Sequence, residues 1–178
     1  MQDVIKLVPL SQIDAAEVEA LLDAAFGTDR RGRTAYRMRE GTYPIAPLSF
    51  AACRGAALLG TIQCWPVRLA TDTGSVSLVL VGPVAVMPDL QRSGIGKMLM
   101  SEMLRVADGG AADALMMIGD AEYYGRFFDF ESQSTTHWIV PGPVERHRLL
   151  ARIRRPGGIG AYGTIIPDPD FALIAVPA

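Results

Sequence analysis

Hydrophobic positions change period repeatedly along the chain, and each change marks an element. Val4–Val8 reads as a short apolar strand. Ala15–Phe26 then carries Val18, Leu21, Leu22 and Ala25 on one helical face, with Ser11 or Asp14 available as the cap. Gly27-Thr28-Asp29 breaks that helix, and Arg33–Arg39 predicts a second, shorter one before Gly41. Leu48–Cys53, Ala57–Ala70 and Ser75–Val86 follow as three strands in meander order, turned at Gly55 and at Thr71–Gly74. Ile95, Met98, Leu99, Met103 and Val106 return to a helical period, which Asp108-Gly109-Gly110 stops. Ala114–Ile118 is a continuous apolar run, a buried strand that must lie parallel to Ser75–Val86 because a helix connects them. Ala121–Phe128 predicts a short helix, Thr135–Val140 a strand, Val144–Ile153 a helix and Phe171–Val176 a last strand. The expectation is one mixed α/β domain over residues 1–178.

The turn between the central strand and the third helix carries the most specific chemistry. It runs Gln91-Arg92-Ser93-Gly94-Ile95-Gly96-Lys97. Gly94 and Gly96 lack a Cβ, so the backbone can approach a bulky anion closely. The first helical N–H groups have no internal partner and sit at the positive end of the dipole. Such a turn can cradle a phosphate or diphosphate, with Arg92 and Lys97 adding full charge beside it. A tight turn needing glycine for its geometry alone is the competing reading. A Walker A loop is excluded: Gln91 stands where its first glycine should be, and Met98 where a hydroxyl is needed. A dinucleotide fingerprint would need a third glycine at Leu99. The literal G-x-G-x-x-G at Gly158–Gly163 follows Arg154-Arg155-Pro156 rather than a strand, and reads as a flexible loop.

The run Gly82-Pro83-Val84-Ala85-Val86-x-Pro88-x-x-Gln91-x-x-Gly94-Ile95-Gly96-x-x-Leu99 resembles the acetyl-CoA-binding segment of the GNAT N-acetyltransferase superfamily. The resemblance implies a mixed, mostly antiparallel central sheet with a splayed pair of parallel strands, flanked by helices. It implies acetyl-CoA as cosubstrate, held by Val84, Ala85, Val86, Gln91, Arg92, Ser93, Gly94, Ile95, Gly96 and Lys97. Pro83 removes a ladder donor, and a bulge at Gly82-Pro83 would bend the central strand and open a wedge. An extended thioester arm could then pair with Val84–Val86. The second helix and its loop would lie over the acceptor, making Tyr36, Met38 and Tyr43 substrate-side candidates that serve equally well as packing groups.

A second segment, Asp120-Ala121-Glu122-Tyr123-Tyr124-Gly125-Arg126-Phe127-Phe128-Asp129-Phe130, is similar to the family's stretch after its fifth strand. The family's catalytic tyrosine maps onto Tyr124. Phe128-Asp129-Phe130 replaces the usual Gly-Phe and is one residue longer, so Tyr123 takes the place if the extra residue lies elsewhere. The implied reaction is attack of a neutral primary amine on the thioester in a ternary complex. A backbone N–H near Val86 would hold the oxyanion, and the tyrosine would protonate the departing sulfur. No acidic residue lies between Val76 and Met87, where many members carry a glutamate. Glu122, Asp120, Glu40 or His137 acting through water are the candidate bases left, and an amine arriving already neutral needs no strong base. Two rivals stand beside this reading, a catalytically silent acyl-CoA sensor or scaffold and a generic mononucleotide-binding α/β protein.

Composition narrows the classes rather than choosing among them. Apolar residues make up 49% and charged residues 20%, the balance of a globular protein. The net charge of −2 gives no electrostatic case for nucleic acid. Two arginine clusters, Arg30 to Arg39 and Arg146 to Arg155, read as solvated helix faces. No apolar run reaches the ~18 residues of a membrane span, and the N-terminus has no secretory pattern. Cys53 and Cys64 are too few for a metal site and too far apart in a regular hairpin to pair. A reduced, cytoplasmic setting follows, with a small-molecule or peptide amine as partner and a homodimer left open.

Overall fold

The computed structural model describes residues 3–154 and 159–171. Eight strands form one sheet. Its continuous path runs β1 (Lys6–Pro9), β2 (Phe50–Arg54), β3 (Ala57–Thr71), β4 (Gly74–Val86), β5 (Ala114–Ile118), β7 (Leu149–Ile153). β6 (His137–Ile139) and β8 (Tyr162–Pro167) extend it: β8 pairs with the far half of β3, and β6 pairs with β8. Within the continuous path only β4 and β5 are parallel, as the connecting helix requires.

Among the described residues four α-helices cover the sheet. α1 (Ala15–Phe26) and α4 (Ala121–Phe128) keep the predicted bounds, and each is capped by an aspartate. Asp14 accepts from Ala16 N at 2.8 Å; Asp120 accepts from Glu122 N at 2.9 Å. α2 (Thr34–Met38) is one short turn tied down at long range. Thr34 Oγ1 donates to Pro143 O at 2.6 Å, and Arg37 Nη1 donates to Pro141 O at 3.3 Å. α3 (Ile95–Val106) seats Ile95, Leu99, Met100 and Met103 in the core. Met98, expected on that face, is 38% exposed, so the buried stripe is rotated toward Met100. Each of these four buried side chains contributes about 1.5–3 kcal/mol, enough to fix the helix against the sheet.

Strand parity divides the core. Ile62, Cys64, Val79, Val81, Leu115 and Met117 face α3 and α4. Val67, Leu69, Leu78, Leu80 and Met116 face the other side, with Met38 of α2.

Two predicted elements differ. Val144–Ile153 is not a helix: Arg146–Arg148 makes a 3-10 turn, and β7 follows. Leu150 packs into one core layer while Leu149 and Ala151 pack into the other, an alternation only a strand can serve. The loop reading of Gly158–Gly163 is corrected at Tyr162 and Gly163, where β8 (Tyr162–Pro167) begins; residues 159–161 are irregular. In β8, β-branched Thr164, Ile165 and Ile166 pair against Ala70, Leu69 and Arg68 respectively, a sheet edge that would otherwise be open. Of the strand expected at Phe171–Val176, Phe171 is not in a strand, and residues 172–176 lie outside the described residues.

Candidate active site

The site begins at an irregularity in β4. Ile62 pairs with Val84 and Cys64 with Val81, so Gly82 and Pro83 together oppose the single residue Gln63. This is a β-bulge, and it shifts parity. Val79 and Val81 face α3 before it, and Val84 and Val86 do so after it. Ala85 turns the other way, into the α1 cluster with Val18, Leu21 and Leu22. The peptide Gly82-Pro83 is cis, and Gly82 has φ 121°.

β4 and β5 pair only at Val79–Leu115 and Leu80–Met116. Beyond those pairs they separate, and a cavity of about 1050 Å³ fills the wedge. Leu80–Val84 line one wall and Met117–Asp120 the other. Tyr123 and Tyr124 of α4 stand on one side, and Arg30, Arg33, Thr34, Tyr36 and Arg39 on the other. Asp120, Glu145 and Arg148 also reach it.

On the α3 side of the wedge lies the glycine turn. Gly94 takes φ 88°, and an added Cβ there would meet nothing. A Cβ on Gly96 would lie 3.9 Å from Val86 Cγ2 and 4.0 Å from Val84 Cγ1. Helix start and strand end are therefore in near contact. No side chain caps α3. The Ser93 hydroxyl donates to Leu90 O instead, tightening the turn. Gln91, Arg92, Ser93 and Lys97 are exposed, whereas Ile95 is buried in the core, so it can offer a ligand only its backbone. Ala85, likewise buried, can offer only its backbone. Lys97 Nζ sits 3.7 Å from the Phe127 ring centre, bringing α3 and α4 together beside the turn.

Both candidate tyrosines line the cavity, their rings edge to face at 5.0 Å. Asp129 closes α4 in a left-handed conformation, and Phe130 N donates back to Tyr124 O at 3.2 Å. Tyr124 is the more enclosed. Burial, then the neighbouring Tyr123 and Asp120, pushes its phenol up to about 12. Tyr123 is raised by burial alone. Of the four candidate bases, Asp120 lines the cavity but is engaged as a cap, while Glu122, Glu40 and His137 are exposed and lie outside that wall.

The acceptor side departs most from expectation. Tyr36 lines the cavity, but Met38 is fully buried in the core and Tyr43 is 85% exposed in a separate groove. The arginines expected on a solvated face include two buried ones. Arg30 is 1% exposed and bonded to Glu19, Asp23 and the Tyr36 hydroxyl. Burial opposes its charge, yet those partners raise its pKa above the arginine value. Arg39 is 8% exposed and sits against Tyr36 and Trp65; burial lowers its pKa. Sequence patterning missed both because arginine is mostly a surface residue. Gly119 was missed as well, and only its place between β5 and the tyrosine helix could have flagged it.

The comparisons agree with this geometry. A GNAT family N-acetyltransferase, YhbS from Escherichia coli in complex with CoA, superposes with a TM-score of 0.70 at 20% identity, covering 97% of this chain and 95% of that one. A GNAT family acetyltransferase from Brucella melitensis in complex with acetyl-CoA gives a TM-score of 0.66 at 22% identity, covering 93% of this chain and 97% of that one. No curated protein matches the sequence. The model of the Acetyltransferase (GNAT) family matches residues 16–128, from α1 through the bulged strand and glycine turn to the tyrosine helix. With the split between β4 and β5 lying inside that matched span, the chain belongs to the GNAT acetyltransferase family.

Proposed function

We propose that the protein transfers the acetyl group of acetyl-CoA to a primary amine by direct attack in a ternary complex, with residues 1–178 acting as one domain. The observation that carries this reading is the single cavity running from Val84 on the bulged strand to Tyr124. Two relatives of the same fold are complexes with CoA and acetyl-CoA. This chain's residues suit that ligand. The α3 N-terminus carries no side-chain cap, and no Cβ fills the space at Gly94. The turn Gln91–Lys97 would hold the diphosphate through backbone N–H groups, with Arg92 and Lys97 beside it. The β5-facing edge of Val84–Val86, which has no strand beside it among the described residues, would receive the extended arm.

When bound, acetyl-CoA supplies an acetyl group already activated as a thioester. The chain contributes position and one proton. A neutral amine forms its C–N bond to the carbonyl carbon as the C–S bond breaks. A backbone N–H near Val86 steadies the charge that grows on the carbonyl oxygen. Tyr124, a phenol at neutral pH, gives its proton to the sulfur and regains one from the nitrogen through water. Holding both reactants in one cavity supplies much of the remaining acceleration. The cytoplasm suits a chain whose Cys53 and Cys64 are free thiols.

The test is thiol release from acetyl-CoA over a panel of primary amines, with the acetylated product identified by mass. Equal amounts of free CoA and acetylated amine are expected. Tight acetyl-CoA binding with no thiol released from any acceptor would instead identify a catalytically silent acyl-CoA sensor.

A further inference from the structure

The two buried arginines beside the cavity are treated very differently by the rest of the chain. Arg30 has two carboxylates and a phenol. Arg39 has none of the former: among the described residues no carboxylate lies within ion-pair distance of it. Its described side-chain hydrogen-bond partners are neutral, the Tyr36 hydroxyl and, at a long 3.4 Å from Nη1, Gln63 Oε1. The guanidinium lies over two rings, 3.8 Å from the Tyr36 centre and 4.0 Å from the Trp65 centre. Aromatic contact on the guanidinium's faces leaves its N–H edge as the part able to take a partner. That residue lines the cavity. A buried guanidinium with no carboxylate beside it is costly, and such groups concentrate at binding sites.

The missing partner is not the diphosphate of the cosubstrate. Gln63 and Trp65 alternate with Ile62 and Cys64, which face α3, so Arg39 lies on the opposite face of the sheet from the glycine turn. The carboxylates nearest in the cavity wall are also engaged. Asp120 accepts from Glu122 N, and Glu145 faces His147 Nε2 at 3.4 Å.

Building on the acetyl-transfer reading, we infer that the acceptor is an amino carboxylate, a small molecule carrying both the reacting amine and a carboxylate that pairs with the edge of the Arg39 guanidinium. A planar carboxylate matches that edge with two parallel N–H···O bonds, which a carboxamide of the same shape cannot reproduce with full charge. The Tyr36 ring would form the adjoining wall. Arg39 is thus assigned to substrate selection, and Arg30 to holding α1 against the segment that carries α2.

The test uses the full chain saturated with CoA, so that no turnover is needed. Amino carboxylates and their carboxamide counterparts are titrated calorimetrically into wild type, Arg39→Gln and Arg39→Lys. At least tenfold tighter binding of the carboxylate member is expected in wild type. That preference should vanish in Arg39→Gln and be only partly restored in Arg39→Lys, which keeps the charge and loses the fork. Equal binding of the two members by wild type, binding of neither, or a preference surviving in Arg39→Gln would overturn the assignment. The wild-type comparison decides even if a variant fails to fold. Because binding is read without chemistry, a catalytically silent protein could still pass this test, and an active one could still fail it.

Discussion

A Cβ built on Gly119 would stand 2.8 Å from two atoms of the Tyr124 ring. Gly119 directly follows β5, and Tyr124 lies on α4 just beyond it, so the ring rests directly on the glycine backbone. The ring's position is set by an absent methyl group. Gly119→Ala should displace it and lower kcat by about 10²-fold, since small misplacements at a reacting centre are expensive. Steady-state kinetics with a parallel acetyl-CoA titration check this; affinity should hold.

Tyr124→Phe removes the proposed proton donor while keeping the ring. Turnover should fall by about 10²-fold or more with acetyl-CoA affinity unchanged. If Tyr123→Phe produces that loss and Tyr124→Phe does not, the roles exchange.

The alkaline behaviour of the fold has a defined sign. The Tyr124 phenol is pushed up to about 12 by burial, then by Tyr123 and Asp120, from an ordinary value of 10. The folded state therefore holds its proton longer than the unfolded chain. Its stabilising contribution is complete below the unfolded value and is lost as pH rises toward the folded one. Denaturant midpoints measured across that range should fall, and fall less in Tyr124→Phe.

At the glycine turn, two substitutions separate geometry from ligand binding. A Cβ on Gly96 meets only ordinary contacts, so Gly96→Ala should keep or slightly raise stability. Gly94→Ala must place a side chain at φ 88°, costing about 1–2 kcal/mol. Glutamate at either position should abolish acetyl-CoA binding by repelling phosphate. Thermal melts and calorimetry distinguish the outcomes.

Arg30 should matter to the fold before it matters to catalysis. Arg30→Met leaves the half-exposed carboxylates of Glu19 and Asp23 without their cation and should cost about 1–2 kcal/mol in a denaturant titration. Burial works to raise Glu19, but Arg30 and Arg31 outweigh it and hold its carboxyl below the usual range. Its contribution is present above the unfolded carboxylate value and lost as pH falls through the folded one. Glu19→Gln should therefore flatten the acid limb.

Local signals were legible in the sequence wherever one residue type does one job. Asp14, one of two caps offered for the first helix, does cap it, and the bounds expected for α1 and α4 match the fold. The bulge at Gly82-Pro83 was readable because proline cannot donate to a ladder. What stayed hidden depended on partners distant in sequence. Leu149–Ile153 becomes a strand because β5 needs an edge partner, and Tyr162–Pro167 because β3 outruns β2. Arg30 and Arg39 looked like surface charge because their burial is created by Glu19, Asp23, Tyr36 and Trp65 folding over them.

The extra residue in β4 also sets how unevenly this strand can tolerate length changes. Losing one residue at the Thr71–Gly74 hairpin would shorten a solvent-facing connection and leave the inward-outward order of Leu78–Val81 as it is. Losing Gly82 would instead rotate everything downstream by half a pleat. Val84 and Val86 would swing away from α3, and Ala85 would be driven into the helix it now avoids. One inserted position thus keeps Val84 and Val86 toward α3 and Ala85 toward α1, on opposite sides of a shared wall.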